Sequence, residues 1–205
     1  LMKQAKPFNP VFHLSQQAEK IERKEDGLWH LTTSNGTIIS AVCIVIAAGA
    51  GSFVPRKPPI KNIDKYENKS VFYSIVEKKL FKGKNILIAG GGDSALDWTI
   101  DLESISNVTL MHRRKEFRAA PESISKILEL EKTNKINFII GQLNSIKGNN
   151  GQISEIEYKN ENKVYFIKTD ILLPFFGLIM ELGPIANWGL NLYENRITVD
   201  TEKFE

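Results

Sequence analysis

The stretch Asn85-Ile86-Leu87-Ile88-Ala89-Gly90-Gly91-Gly92-Asp93-Ser94-Ala95 decides how this chain is read. Its apolar run predicts a buried strand, and the glycines that follow break it before a helix opens at Asp93. Gly90, Gly92 and Ala95 satisfy the spacing G-x-G-x-x-A, in which each position has a physical task. Gly90 permits the tight turn, Gly92 lets the backbone approach a pyrophosphate, and Ala95 allows the helix to pack closely on the strand. Phosphates placed there meet free N–H groups and the positive end of the helix dipole, with the Ser94 hydroxyl as a further donor. Asp93 caps or complements that helix N-terminus, while Asp97 and Asp101, at i+4 spacing along the helix, face solvent.

Moving outward, a second strand (Val108 to His112) ends in His112-Arg113-Arg114. A dinucleotide site for NAD usually carries an acid there, about 20 residues beyond the glycines, to bond the ribose hydroxyls. Two guanidinium groups at that point instead clamp a 2′-phosphate through paired, charge-assisted hydrogen bonds, which selects NADP(H). Arg118, four residues past Arg114, can converge on the same phosphate, and His112 either joins the clamp or packs at the strand end. A helix from Pro121 to about Glu131, with Ile124, Ile127 and Leu128 on one face, leads to a strand over 136–140. The resulting β-α-β-α-β order predicts a parallel sheet with helical crossovers, a Rossmann-like α/β fold.

Residues 18–51 alternate apolar and polar positions around Asp26-Gly27 and Asn35-Gly36, then enter the apolar run VCIVIAAGAG. This predicts a three-stranded meander feeding a buried strand. Residues 143–177 repeat the plan, with turns at Asn149-Asn150-Gly151 and Asn160-Glu161-Asn162 ahead of the strand in DILLPFFG. One plan used twice suggests two related nucleotide-binding units. No β-α-β half precedes the first copy, so the chain is expected to begin in the middle of a longer protein. The proline-rich, aperiodic stretch 52–66 reads as a linker, with a second crossing near Thr169 to Gly177.

A net charge of +3, with lysines spread along the chain, gives no support to a nucleic-acid or membrane partner. No stretch approaches the roughly 18 consecutive apolar residues of a membrane span, which places the chain in the cytoplasm. The single cysteine, Cys43, excludes an internal disulfide and any paired-cysteine motif, and the three histidines lack ligand spacing, so no metal site is expected. Cys43 lies in an apolar run and reads as a small buried hydrophobe. No side chain reads as an acid–base catalyst.

GGGDSALDW (90–98) followed by VTLMHRRKEFRA (108–119) resembles the NADPH domain of the low-molecular-weight thioredoxin reductases. AAGAGSFVPR (47–56) resembles the passage from their FAD domain to their NADPH domain, and FFGLIMELGPIANWGL (175–190) resembles the return. Those reductases carry two cysteines just ahead of the glycine motif. Here that position reads Tyr73-Ser74-Ile75-Val76, so dithiol exchange is excluded. With YSIVEKKLFKGK (73–84) ahead of the glycines, the chain is similar to the thioredoxin-reductase-like ferredoxin–NADP reductases of bacteria, class II pyridine nucleotide-disulphide oxidoreductases without the redox cysteines.

That resemblance implies a two-domain flavoprotein, with a partial FAD domain (1–63), an NADPH domain (64–169) and a return toward the FAD domain (170–205). It implies NADP(H) held by Gly90, Gly92, Asp93, Ser94, His112, Arg113, Arg114 and Arg118, FAD in the full-length protein, and residues 47–51 and Arg56 on the FAD side. It implies a homodimer passing electrons from NADPH through FAD to ferredoxin or flavodoxin. Two alternatives stay open: an NADPH-flavin reductase serving a disulfide partner, and a non-catalytic NADP-binding module.

Overall fold

Every residue of the run 86–89 is buried on both sides of its strand, and the surrounding sheet shows why. The computed structural model describes residues 2–49 and 51–203; Leu1, Phe204, Glu205 and Ala50, which falls within the expected strand after the first meander, lie outside the described residues. In chain order, α1 (Met2–Ala5), β1 (Ala18–Arg23), β2 (Trp29–Thr33), β3 (Ile38–Ala41) and β4 (Ser52–Pro55) come first. Then follow β5 (Asn85–Ala89), α2 (Asp93–Leu102), β6 (Asn107–His112), α3 (Pro121–Lys132) and β7 (Asn137–Ile140). The remaining strands are β8 (Gln142–Asn149), β9 (Gln152–Asn160), β10 (Lys163–Lys168), β11 (Ile171–Pro174), β12 (Leu178–Glu181), β13 (Leu192–Tyr193) and β14 (Arg196–Ile197).

Two compact units share the chain: Leu1–Val54 with Met180–Glu205 (unit 1), and Pro55–Ile179 (unit 2). These divisions stand against the expected 63/64 and 169/170. Ile60 and Ile63 are buried in the core of unit 2, and β11 is hydrogen-bonded to β5, so both segments belong to that unit by packing. Proline spacing marked where regular structure stops, which is not where burial stops.

Unit 2 is built on a parallel sheet of order β11-β5-β6-β7. Residues 70–72 lengthen its β11 edge, where Phe72 N–H donates to Leu172 O (3.1 Å) and Leu172 N–H to Ser70 O (2.8 Å). Alternate residues of each strand serve opposite faces. Ile86, Ile88, Leu110 and Leu173 pack with Ala95 and Leu96 of α2 and with Ile127 and Leu130 of α3. Leu87, Ala89, Met111 and Leu172 pack with Ile153 and Ile156 of β9. Covered on both faces, the strands need no polar side, and burying each large apolar side chain contributes about 1.5–3 kcal/mol.

Helix α3 departs from its expected face in one residue. Ile127 and Leu130 are buried and Ile124 is half-buried, but Leu128 is 53% exposed. A three-residue step holds the stripe 124–127–130 against the sheet, and Leu128 lies about 100° further round the helix.

The meander of unit 2 runs β8-β9-β10, antiparallel throughout. Its first turn places Asn150 at φ 52° and Gly151 at φ 81°, the left-handed pair that a two-residue hairpin favours. Unit 1 holds the meander β1-β2-β3, also antiparallel. Trp188 Nε1–H donates to Glu19 O on its β1 (3.1 Å). The buried strand expected after it does not form: residues 42–48 have no strand hydrogen bonding, and Val42 and Val45 are 82% and 85% exposed. Cys43, expected to be buried there, is exposed. A parallel strand makes no hydrogen bonds within itself, and no neighbouring strand among the described residues pairs with this one. No helix among the described residues is long and apolar enough to cross a membrane.

Candidate functional site

The C-terminal ends of the four parallel strands open on one cleft of about 580 Å³ within unit 2. Such ends are where an open α/β sheet binds ligands, because the turns that follow expose backbone groups and leave a crevice. Ala89 and the glycines 90–92 form its centre, at the end of β5. His112, Arg113, Arg114 and Arg118 line it beyond β6, and Gly141, Gln142 and Leu143 beyond β7. Past β11 it is lined by Phe175, Phe176 and Gly177, with Arg56 and Pro59.

The glycines are required by what touches them. A Cβ on Gly90 would fall 2.6 Å from Phe175 O and 2.9 Å from Ala95 Cβ, so only glycine lets β11 and α2 close on this turn. A Cβ on Gly92 would meet only Arg118 O, at 3.7 Å, so the turn has open space at that position. Helix α2 then begins with no side-chain cap, leaving its N-terminal partial charge uncompensated by a capping oxygen. Ala95 is fully buried where α2 meets the sheet, and Ser94 is exposed.

The basic loop after β6 is folded back on the same turn. Arg118 N–H donates to Gly91 O (2.7 Å), and Gly92 and Arg118 form an isolated parallel bridge. The His112 ring lies over Gly91, where a Cβ would come within 2.4–2.6 Å of three of its atoms. The same ring stacks on Phe117, ring centroids 5.7 Å apart and planes 22° from parallel. Burial pushes the His112 pKa below its ordinary value, and the Arg114 charge adds to this against a backbone hydrogen bond with Glu116. Both effects favour the neutral imidazole.

Asp93 does not cap α2. Its Oδ1 accepts from the Ala120 N–H (2.7 Å), which ties the start of α2 to the residue before α3. Asp97 and Asp101 are exposed as expected, the first accepting from the Ser123 hydroxyl (3.0 Å) and the second paired with Lys78.

Of the residues named from sequence, the cleft brings together Gly90, Gly92, His112, Arg113, Arg114 and Arg118; Asp93, Ser94 and Ala95 do not line it. Sequence reasoning missed the wall at 141–143, whose signal was its place just after a parallel strand. It also set Arg56 on the FAD side, whereas Arg56 lines this cleft. No aspartate or glutamate lines the cleft, and none of its four arginines joins an ion pair among the described residues. Arg114 Nε and His112 Nε2 are buried without a hydrogen-bond partner. Unspent donors and unpaired positive charge fit a phosphorylated nucleotide.

The chain is 53% identical over 207 residues to a ferredoxin–NADP reductase of Parvibaculum lavamentivorans, matching 100% of this chain and 60% of the relative. It is 50% identical to one of Rickettsia rickettsii, matching 98% of this chain and 60% of the relative. The chain thus spans about three fifths of these curated relatives' length. Among solved structures, Lactococcus lactis thioredoxin reductase aligns with a TM-score of 0.75 at 27% identity, covering 91% of this chain and 60% of that one. The bacillithiol disulfide reductase of Staphylococcus aureus shares the fold, with a TM-score of 0.75 at 16% identity over 94% of this chain and 57% of that one. A family model described as pyridine nucleotide-disulphide oxidoreductase matches residues 5–203. Because that match runs through both units and not only the glycine turn, the chain belongs to the pyridine nucleotide-disulphide oxidoreductase family.

Proposed function

We propose that unit 2 binds NADP(H) and that the chain serves a flavin-dependent NADPH oxidoreductase, a ferredoxin–NADP reductase whose acceptor is ferredoxin or flavodoxin. In the same reading the whole protein is a cytoplasmic homodimer that carries FAD. The observation that carries it is the run His112-Arg113-Arg114 at the end of β6, with Arg118 folded beside it, in a cleft lined by no carboxylate. An NAD site usually carries an acid at that strand end, and a 2′-phosphate is matched by the cations found there. The names of the two ferredoxin–NADP reductase relatives support the acceptor.

NADPH, when bound, supplies a hydride. The work of this chain is to bind and orient the nucleotide. Gly90 and Gly92 leave the turn open to the diphosphate at the start of α2. Arg113, Arg114 and Arg118 take the 2′-phosphate, and His112, packed against Gly91 and Phe117, supports the turn while Asp93 holds the loop. Ser94, exposed in the first turn, adds a hydroxyl donor. FAD belongs to the reading of the full-length protein: the described part of unit 1 has no strand, glycine turn and helix in succession, and no residue of this chain is named as a flavin contact.

The reading is tested by titrating Arg114→Ala with NADPH and NADH. A hydrogen bond to a charged partner contributes about 1.5–3 kcal/mol, so NADPH binding should weaken about tenfold to a hundredfold while NADH binding is unchanged. Equal weakening of both would refute the 2′-phosphate assignment. Turnover of the full-length protein with ferredoxin and with thioredoxin distinguishes the acceptor, and the absence of cysteine from Tyr73–Val76 favours ferredoxin.

A further inference from the structure

We infer that Arg56 forms a second anion subsite of this cleft, taking the diphosphate of the nucleotide from the β11 side, separate from the 2′-phosphate clamp beyond β6. The inference rests on the NADP(H) reading above and adds a residue and a division of labour to it.

Three observations carry it. The strand order places β11 on one flank of β5 and β6 on the other, so the two sets of arginines approach the glycine turn from opposite sides. The β11 flank is fixed against that turn: the Phe175 carbonyl lies 2.6 Å from where a Gly90 Cβ would sit, and Arg56 N–H donates to Gly177 O at 3.0 Å. Gly177 is two residues from Phe175, a span of about 7 Å of extended chain, which keeps Arg56 within side-chain reach of the glycines. Charge supplies the third. Next to Arg56, Lys57 is engaged by Glu67 (2.9 Å) and is not part of the cleft wall, whereas Arg56 lines it without an ion pair among the described residues.

A diphosphate is what the cleft would offer Arg56. Gly92 opens the turn at the start of α2, where a dinucleotide's phosphates meet backbone N–H groups, and a guanidinium arriving from the other side can bond the outward oxygens in its planar fork. The 2′-phosphate belongs to the β6 side, where Arg113 and Arg114 stand.

Three ligands separate the two subsites by calorimetric titration: 2′-AMP, which carries only the 2′-phosphate; NAD+, which carries only the diphosphate; and NADP+, which carries both. Arg56→Ala should weaken NAD+ and NADP+ by a similar factor, about fivefold to tenfold, and leave 2′-AMP unchanged; Arg56→Lys should recover part of the loss. Arg114→Ala should do the converse, weakening 2′-AMP and NADP+ and sparing NAD+. Arg56 is exposed, so its replacement should leave the thermal unfolding midpoint where it was. Unchanged binding of NAD+ and NADP+ by Arg56→Ala overturns the inference, as does weakening of 2′-AMP, which would put Arg56 in the clamp. If instead Arg114→Ala fails to discriminate between NADP+ and NAD+, the NADP(H) reading falls by its own result.

Discussion

The meanders of units 1 and 2 share one plan, two tight turns and three antiparallel strands, and part company in the residue that follows. After β10 the chain enters β11, whose four residues are all buried between α2 and α3 on one side and β9 on the other. After β3 an apolar run, 42–48, forms no strand, and Val42, Cys43 and Val45 are exposed. Hairpins are local objects, and Asp26-Gly27 or Asn150-Gly151 carries enough of the instruction to form one. A parallel strand is an agreement among segments far apart in sequence, and apolar character alone does not create it. Exposure of 42–46 also leaves Cys43 in contact with solvent.

The largest expected effect tests this contrast directly. Leu172→Ala should destabilise unit 2 by about 2–5 kcal/mol, the usual cost of emptying a fully buried leucine site. Val45→Ala should change stability by no more than about 0.5 kcal/mol. Urea unfolding followed by circular dichroism measures both, and similar losses from the two would mean that 42–46 is packed in solution.

The next contrast lies between two adjacent glycines of the same turn. Gly91→Ala drives a methyl into the His112 ring and should cost about 1–3 kcal/mol of stability, whereas Gly92→Ala has room and should cost less. Adding His112→Ala to Gly91→Ala should restore part of the loss. Thermal unfolding of the variants reads the outcome; no rescue would place the cost in the backbone rather than in the ring.

The smallest effects compare two carboxylates, one in each unit. Glu22 on β1 is half-buried but more open than Glu67 (side chains 39% and 20% accessible), and hydrogen bonds from Lys20 and then Lys24 lower its pKa from 4.5 to about 2. Glu67 is half-buried and held below its ordinary 4.5 by Lys57 first and by the Tyr73 hydroxyl (2.8 Å), against the cost of burial. Depressed in the folded state, each contributes stability above about pH 4.5 and loses it as pH falls through its folded value. Stability measured against pH should therefore lose part of its acid limb in Glu22→Gln and in Glu67→Gln. In roughly 1 M salt, where the screening length is about 3 Å, the difference made by Glu22 should vanish and that made by Glu67 should persist. Equal loss of both would mean that Glu67 is as open to water as Glu22.

The order of strands and helices in unit 2 was legible in the sequence because its signals are local: Pro121 opens α3, the glycines stop β5, and Asn150-Gly151 and Glu161-Asn162 turn the hairpins. The place of Arg113 and Arg114 in the cleft wall was legible for a different reason, since they follow the second strand at its C-terminal end. Leu128 was misplaced because an amphipathic stripe is tolerant by one residue, and only the packing of Leu130 shows which edge is covered. That Arg56 lines the cleft was not legible, because its place depends on the segment after β11 arriving beside it more than a hundred residues later, where Gly177 accepts its N–H. Gly91 had no pattern to announce it: the middle position of the motif accepts any residue, and it is glycine here because a ring from another strand occupies the space.

An acid in the first turn of a phosphate-facing helix looks opposed to its purpose, yet Asp93 directs its oxygen to the Ala120 N–H. With Arg118 N–H already bonded to Gly91 O, the arginine loop is fastened at two points close to its end before any nucleotide arrives. Its conformational entropy is lost when the protein folds and not when the ligand docks. The cleft should thus meet its nucleotide as a rigid surface, with affinity limited by contact chemistry and not by the ordering of a loop.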